Sequence, residues 1–284
     1  MKPSNKSSYT PFKQEYFTNL IYKLFEHFSI FDYFEYKDLT SGLGEWETPD
    51  KLEIVRGSPI VVLEAIKALK LENKIHVAFC DEDDRTLDIL LENIKKHNQL
   101  DIYHELYTKR RACLFRQKIE NRAALILESE IKNNSKFKSD VPTIFYYDPG
   151  GAVAFNDFAT VVNRYENGVG LLHFSSTSVK RVNNSPRASP YYDDVIDYLK
   201  TTNKKYHYIS RPSNGGFQWS FLYSSNLLPP ASLVTGNTPF FRDIFSDLGR
   251  KFLTKISLTK EELDKLTAAD NFELPNYKEI LINV

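Results

Sequence analysis

The sequence predicts an α/β fold built on one mainly parallel sheet, and three observations lead there. Strand-like apolar segments alternate with segments of helical period from Phe34 to Tyr223, which is the pattern of parallel strands joined by crossover helices. Three of those strand-like segments end in an acid, at Asp38, Asp81 and Asp148. The last two strands, near Tyr206 to Ser210 and Gln218 to Tyr223, follow one another closely enough to close the sheet as a late pair.

Along the chain, Phe17, Leu20, Ile21, Leu24, Phe25 and Phe28 recur at helical spacing behind Pro11. They predict an N-terminal helix that packs on the core. The first strand is read from Phe34 to Thr40, and the polar stretch from Glu45 to Arg56 as a loop. Gly57-Ser58-Pro59 opens a helix, with Ser58 as N-cap and Pro59 at the first position. Its exposed amides would suit an electron-rich ligand group. Ile75 to Cys80 is the second strand, and Leu87, Leu90, Leu91 and Ile94 face inward on the helix from Thr86 to Lys96. A third strand is expected over Asp101 to Tyr107, then a long helix over Arg110 to Ile131. Thr143 to Tyr147 is a strand, Asn156 to Tyr165 a helix, Gly170 to Phe174 a strand and Tyr191 to Leu199 a helix. Near the end, Thr259-Lys260-Glu261-Glu262 reads as a capping box.

Composition narrows the function. Lys+Arg and Asp+Glu each total 37, so any basic contact surface must be local. Two cysteines, Cys80 and Cys113, are too few for a disulfide scaffold or an unaided zinc site. His76, His97, His104, His173 and His207 show no metal spacing; no metal is expected, and His173 alone lies near the predicted site. The first residues lack the apolar run of a signal peptide, and no segment reaches membrane-spanning length. A reduced, cytoplasmic protein without a membrane partner is the expectation.

Ligands of such sheets bind beyond the carboxyl ends of the strands, at the switch point. That rule gathers Asp38, Asp81 and Asp148 on one edge, beside the Gly42-Leu43-Gly44 turn. The alternative is that each acid caps a helix or solvates a loop. A dinucleotide site would add a third glycine followed directly by a helix. Here Glu45-Trp46-Glu47 follows the turn, which disfavours NAD. A ligand with an amino group for one acid and a ribose for another fits better, and S-adenosylmethionine is such a ligand.

Several short motifs carry a family resemblance. They are the Asp38 to Gly44 turn, Gly57-Ser58-Pro59 with Leu63-Glu64, Asp81-x-Asp83, Asp148-Pro149-x-Gly151, and Phe217 to Asn226. Together they resemble the three-Cys-motif partner proteins, which are similar to class I S-adenosylmethionine-dependent methyltransferases. The resemblance implies a Rossmann-like class I methyltransferase sheet, mostly parallel with a late antiparallel strand, over residues 1–240 with the N-terminal helix. Residues 241–284 would be a C-terminal helical extension packed on the core. It implies that Asp38, Ser41, Gly42 and Gly44 line the methionine end of the cofactor. Asp81 would meet the ribose hydroxyls, with Asp83 nearby.

Asp148 and Pro149 would be the catalytic pair that orients the acceptor. Amino-methyltransferases acting on bases add an aromatic after that pair, whereas this chain has Gly150-Gly151. The turn also carries Thr40-Ser41 and Leu43 where the family has Phe-Ala and Pro.

On the acceptor side, the loop from Ser175 to Arg187 holds Lys180, Arg181 and Arg187 and no acid. These three cations are the candidate substrate contacts, suited to phosphates. A second basic run, Lys109-Arg110-Arg111 with Arg116 and Lys118, stands at the expected start of the long helix, against its dipole. Both runs also read as ordinary solvated surface. The function implied is methyl transfer from S-adenosylmethionine to an unidentified acceptor, nucleic acid among the candidates. The alternative is a catalytically degenerate fold serving as a non-enzymatic binding subunit of a partner enzyme or nucleic-acid complex. The family name implies a partner enzyme carrying a cysteine motif.

Overall fold

The computed structural model describes residues 10–47, 53–81, 83–109, 112–116, 141–149, 153–174, 192–210, 220–235, 240–250 and 252. The chain divides into two compact units. The first is Met1–Asp148 with Tyr165–Gly168, and the second is Pro149–Arg164 with Val169–Val284.

The first unit is led by α1 (Thr10–Phe28). All six of its predicted inward residues are fully buried, each worth roughly 1.5–3 kcal/mol of transfer free energy. They land on the strands: Phe25 meets Phe34 and Tyr36 edge-on at 5.6 and 5.8 Å, and Phe17 lies 4.6 Å from Tyr146. Those strands are β1 (Phe34–Asp38), β4 (Ile75–Asp81), β5 (Ala112–Arg116) and β6 (Thr143–Tyr147). Their order is β5-β4-β1-β6. β1 runs parallel to β4 and to β6, and β4 parallel to β5. The chain thus moves outward from β1 through β4 to β5, then returns to the other side of β1 at β6. The carboxyl ends of β1 and β6 are the switch point of this unit.

Its other elements are α2 (Ser58–Leu69), α3 (Asp84–Lys96), α4 (Leu100–Thr108) and a hairpin of β2 (Glu45–Glu47) with β3 (Ile54–Arg56). Four expectations are corrected here. The stretch from Glu45 to Arg56 contains two strands; Val55 is buried between exposed Ile54 and Arg56, an alternation that the surrounding charges hide. The third strand is not Asp101 to Tyr107, which is helix α4. Ile102, Tyr103 and Leu106 are its buried residues, and the i, i+4 pair outweighs the β-propensity of Ile and Tyr. The third strand is β5 instead, inside the segment assigned to the long helix; residues 117–131 of that segment lie outside the described residues. Finally, Gly57 rather than Ser58 is the N-cap of α2.

The second unit holds α5 (Phe155–Asn163), β7 (Gly168–Phe174, from Val169 onward), α6 (Tyr192–Thr201), β8 (Tyr206–Ser210), β9 (Ser220–Ser225), α7 (Ala231–Val234) and β10 (Phe241–Asp243). Their strand order is β7-β9-β8-β10. β9 is antiparallel to both β7 and β8, which makes it the late antiparallel strand. Phe158 stacks on Tyr198 at 6.0 Å, and the Asn163 side chain bonds Thr201 O, Thr202 Oγ1 and Asn203 N. These contacts fix α5 against α6. Both units are thus α/β, the strands of the first pairing in parallel and those of the second antiparallel. The segment after Phe240 opens as strand, with β10 antiparallel to β8 and Phe241 and Ile244 buried. The capping box at Thr259 lies outside the described residues.

Candidate functional site

Asp38 ends β1 with no exposure to solvent. Its Oδ1 accepts from the Thr40 amide at 3.0 Å and its Oδ2 from the Ser58 hydroxyl at 2.6 Å. The protein thus sets one of its own carboxylates beside the start of α2. The turn then rises between the neighbouring strands: the Leu39 amide donates to Tyr146 O of β6, and the Ser41 amide to Cys80 O of β4. Ser41 is buried, and its hydroxyl donates to Asp38 O at 3.3 Å.

Gly42 and Gly44 both take left-handed backbone, at φ +60° and +78°, where glycine alone avoids strain. Their surroundings differ. A Cβ on Gly42 would enter open space, whereas one on Gly44 would lie 2.6 Å from Leu90 Cδ1. Gly44 is therefore packed under α3, and Gly42 faces outward. α3 and its C-cap also grip the turn from outside, with Asn93 Nδ2 donating to Leu43 O at 2.8 Å and Lys96 and His97 both paired with Glu45.

Asp81 ends β4 half-buried. One oxygen accepts from the Gly42 amide and the other from the Asp83 amide, both at 3.1 Å. A carboxylate has about four lone-pair sites, so Asp81 keeps acceptor capacity for a ligand. Asp83 is the N-cap of α3, accepting from the Arg85 amide at 2.9 Å. Asp148 follows β6 and is tied to the first strand by its amide, which donates to Thr40 Oγ1 at 2.8 Å. Its Oδ2 accepts from Tyr146 at 3.2 Å and from Lys13 Nζ at 2.7 Å. Pro149 comes next in the chain and begins the second unit.

Asp38, Asp81 and Asp148 thus share one rim. Burial pushes the Asp38 carboxyl up to about 7; repulsion from Asp148 and Asp81 adds to it, while the bonds from Ser58 and Thr40 oppose it. Burial likewise pushes the Tyr36 and Tyr146 hydroxyls well above the usual phenol range, with Asp38 and Asp148 contributing.

Sequence reading missed Lys13, Tyr36 and Tyr146, although period carries a signal for each. Tyr36 and Tyr146 lie two residues before Asp38 and Asp148, on the same strand faces. Lys13 lies four residues before Phe17, on the apolar stripe of α1.

His173 lies in β7, 4.9 Å from the Phe221 ring. Lys109 is the C-cap of α4 and bonds Glu105 and Asn73. It therefore sits at a helix end where a cation is favoured, not at a helix start. Lys180, Arg181 and Arg187 lie outside the described residues, as do Gly150 and Gly151. Among the described residues no group of three His, Cys, Asp or Glu could hold a metal ion, and no helix is long and apolar enough to cross a membrane.

No protein-family model matches the chain, that of the three-Cys-motif partner proteins included, and no curated protein matches it. Solved structures do. Protein LPL1258 of Legionella pneumophila is 12% identical over 78% of this chain and 85% of its own, with a TM-score of 0.47. The fibrillarin pre-rRNA processing protein of Methanococcus jannaschii is 12% identical over 69% of this chain and 68% of its own, at 0.43. Fibrillarin of Aeropyrum pernix, solved with natively bound S-adenosyl-L-methionine, is 11% identical over 74% of this chain and 76% of its own, at 0.41. Likeness at this level assigns no site or substrate to this chain.

Proposed function

We propose that the rim at the ends of β1 and β4 binds S-adenosylmethionine and that the chain is a methyltransferase. The observation that carries this is Gly42, a left-handed glycine whose Cβ position is open space and whose amide donates to Asp81. That is room for a ligand beside an acid with acceptor capacity left, at the carboxyl ends of parallel strands and next to the switch point where α/β sheets bind theirs.

In this reading Asp81 accepts from the ribose hydroxyls, and Ser41 and Gly42 line the methionine end. Asp38, whose two oxygens already take Thr40 and Ser58, orders the turn and contributes negative charge behind it. Gly44 lets α3 close on the turn, and Asp83 starts that helix. When bound, the cofactor supplies a methyl group activated on a sulfonium sulfur. The chain's own task is positioning: Asp148, held by Thr40 and Tyr146, orients an acceptor, with Pro149 fixing the turn after it. The acceptor is unidentified. Nucleic acid is one candidate, with Lys180, Arg181 and Arg187 as its phosphate contacts. Calorimetry with S-adenosylhomocysteine tests the reading; no heat and no thermal shift at millimolar ligand would overturn it.

One observation favours a second reading. The ammonium of Lys13 sits on Asp148, where an acceptor would be oriented. A fold that keeps the cofactor turn but closes the acceptor side would serve as a binding subunit, for nucleic acid or for a partner enzyme carrying a cysteine motif. Cofactor binding without turnover on any acceptor, together with a stable partner complex, would select it.

A further inference from the structure

The acidic rim holds a cation on its inner side. Lys13 Nζ is 2.7 Å from Asp148 Oδ2, and the two side chains are only 12% and 18% exposed. The same ammonium lies 5.8 Å from the centroid of the Trp46 ring. Tyr146 donates to the same carboxylate oxygen. Beside them is Tyr36, fully buried, with Asp38 and Asp148 as its electrostatic neighbours. Its hydroxyl has no hydrogen-bond partner among the described residues. Buried hydroxyls ordinarily find partners, so this one is a polar group that the described residues leave unused.

A carboxylate, phenolic oxygens and an indole face are the groups that recognise an ammonium. Its three N–H donors need acceptors, its charge needs a counter-charge, and that charge is also attracted by the quadrupole of an aromatic ring. Lysine can fill such a place and leave it again, because its ammonium rides on a flexible four-carbon stem. A lysine on the apolar stripe of α1 is out of pattern unless its head has a destination, and Asp148 is that destination.

We propose that Asp148, Tyr146, Tyr36 and Trp46 form an ammonium-binding subsite, and that Lys13 is its internal occupant, displaced when an alkylammonium ligand enters. Resting on the cofactor reading of the adjoining turn, this makes the acceptor an amine, bound as its ammonium and able to take the methyl group only after releasing a proton to solvent, and Lys13 a built-in competitor. An ammonium could also come from the cofactor's own methionine end, and the experiment separates the two sources.

The test is titration of n-butylammonium into the full chain without cofactor, comparing wild type with Lys13→Met. With its competitor gone, the variant should bind at least about tenfold more tightly. Adding Asp148→Asn should abolish that gain. A folded Lys13→Met protein that binds no better than wild type overturns the proposal, and so does equal binding of neutral n-pentanol. Lys13→Gln, which keeps a donor toward Asp148, is the second variant should Met impair folding. In wild type itself, n-butylammonium should speed amide exchange in residues 10–16 as Lys13 is displaced; unchanged exchange at saturating ligand also overturns it.

S-adenosylhomocysteine then assigns the source. Unchanged n-butylammonium affinity in its presence gives the subsite to the acceptor, and competition gives it to the cofactor's ammonium. A protein that binds n-butylammonium but no S-adenosylhomocysteine keeps the subsite and loses the cofactor reading, so the two fail separately.

Discussion

The two faces of β1 carry charge in opposite ways. On one, Glu35 and Lys37 neutralise each other at 3.1 Å, with Tyr165 under the ammonium at 5.4 Å and Thr143 within 3.4 Å of the carboxylate. On the other, Tyr36 and Asp38 point toward a rim where three carboxylates gather and one is pushed up to about 7. The first arrangement is complete within the fold. The second leaves repelling acids, an orphan phenol and an open glycine. A buried charge is thus no sign of a site by itself; a buried charge left in surplus is.

The largest effect should come from breaking the completed face. Lys37→Met strands Glu35, only 6% exposed, and should cost about 3–5 kcal/mol in urea unfolding. Adding Glu35→Leu should recover most of it. A single variant as stable as wild type would show that the pair does not hold the strand.

The two glycines sharpen the other face. Gly44→Ala combines left-handed strain with overpacking against Leu90 and should cost roughly 2–5 kcal/mol. Gly42→Ala carries the strain alone, roughly 1–2 kcal/mol. Equal losses would mean that Gly42 is packed like Gly44.

The next effect is read against pH. Because the folded carboxyl of Asp38 lies above its unfolded value, the folded state holds the proton more tightly. Its contribution to stability is full below about pH 4 and is lost as pH rises to about 7. Asp38→Asn should flatten that part of the stability profile. An unchanged slope would place the titration elsewhere. Smallest of all is Arg56→Ala at the exposed Arg56–Glu64 pair, with Arg56 49% exposed, where about 0.2–1 kcal/mol is expected. A larger loss would show that exposed pairs also carry the fold.

Of the parallel strands, β1, β4 and β6 were legible as strand-like segments leading into an acid, whereas β5, which ends in Arg116, was hidden inside a segment assigned to helix; α1 was legible because six apolar residues keep one period. The hairpin of β2 and β3 was not, since three-residue strands among charges leave too little alternation to read. α4 was mistaken for a strand because Ile102 and Tyr103 suit either state and only the reach to Leu106 decides. The acids at the rim were visible as strand ends. For Lys13 only its odd place on the apolar stripe of α1 was readable, because its destination is a residue 135 positions away. The distinction between Gly42 and Gly44 was equally hidden, since it rests on where Leu90 lies.

The most direct measurement is calorimetric titration of S-adenosylhomocysteine into wild type, Gly42→Val and Asp81→Asn, each checked for folding by its melting curve. Binding by wild type, with a loss of about tenfold or more in each folded variant, equal to about 1.4 kcal/mol, is the predicted result. Wild type that takes up no ligand, or a Gly42→Val protein that binds as well as wild type, would contradict the account.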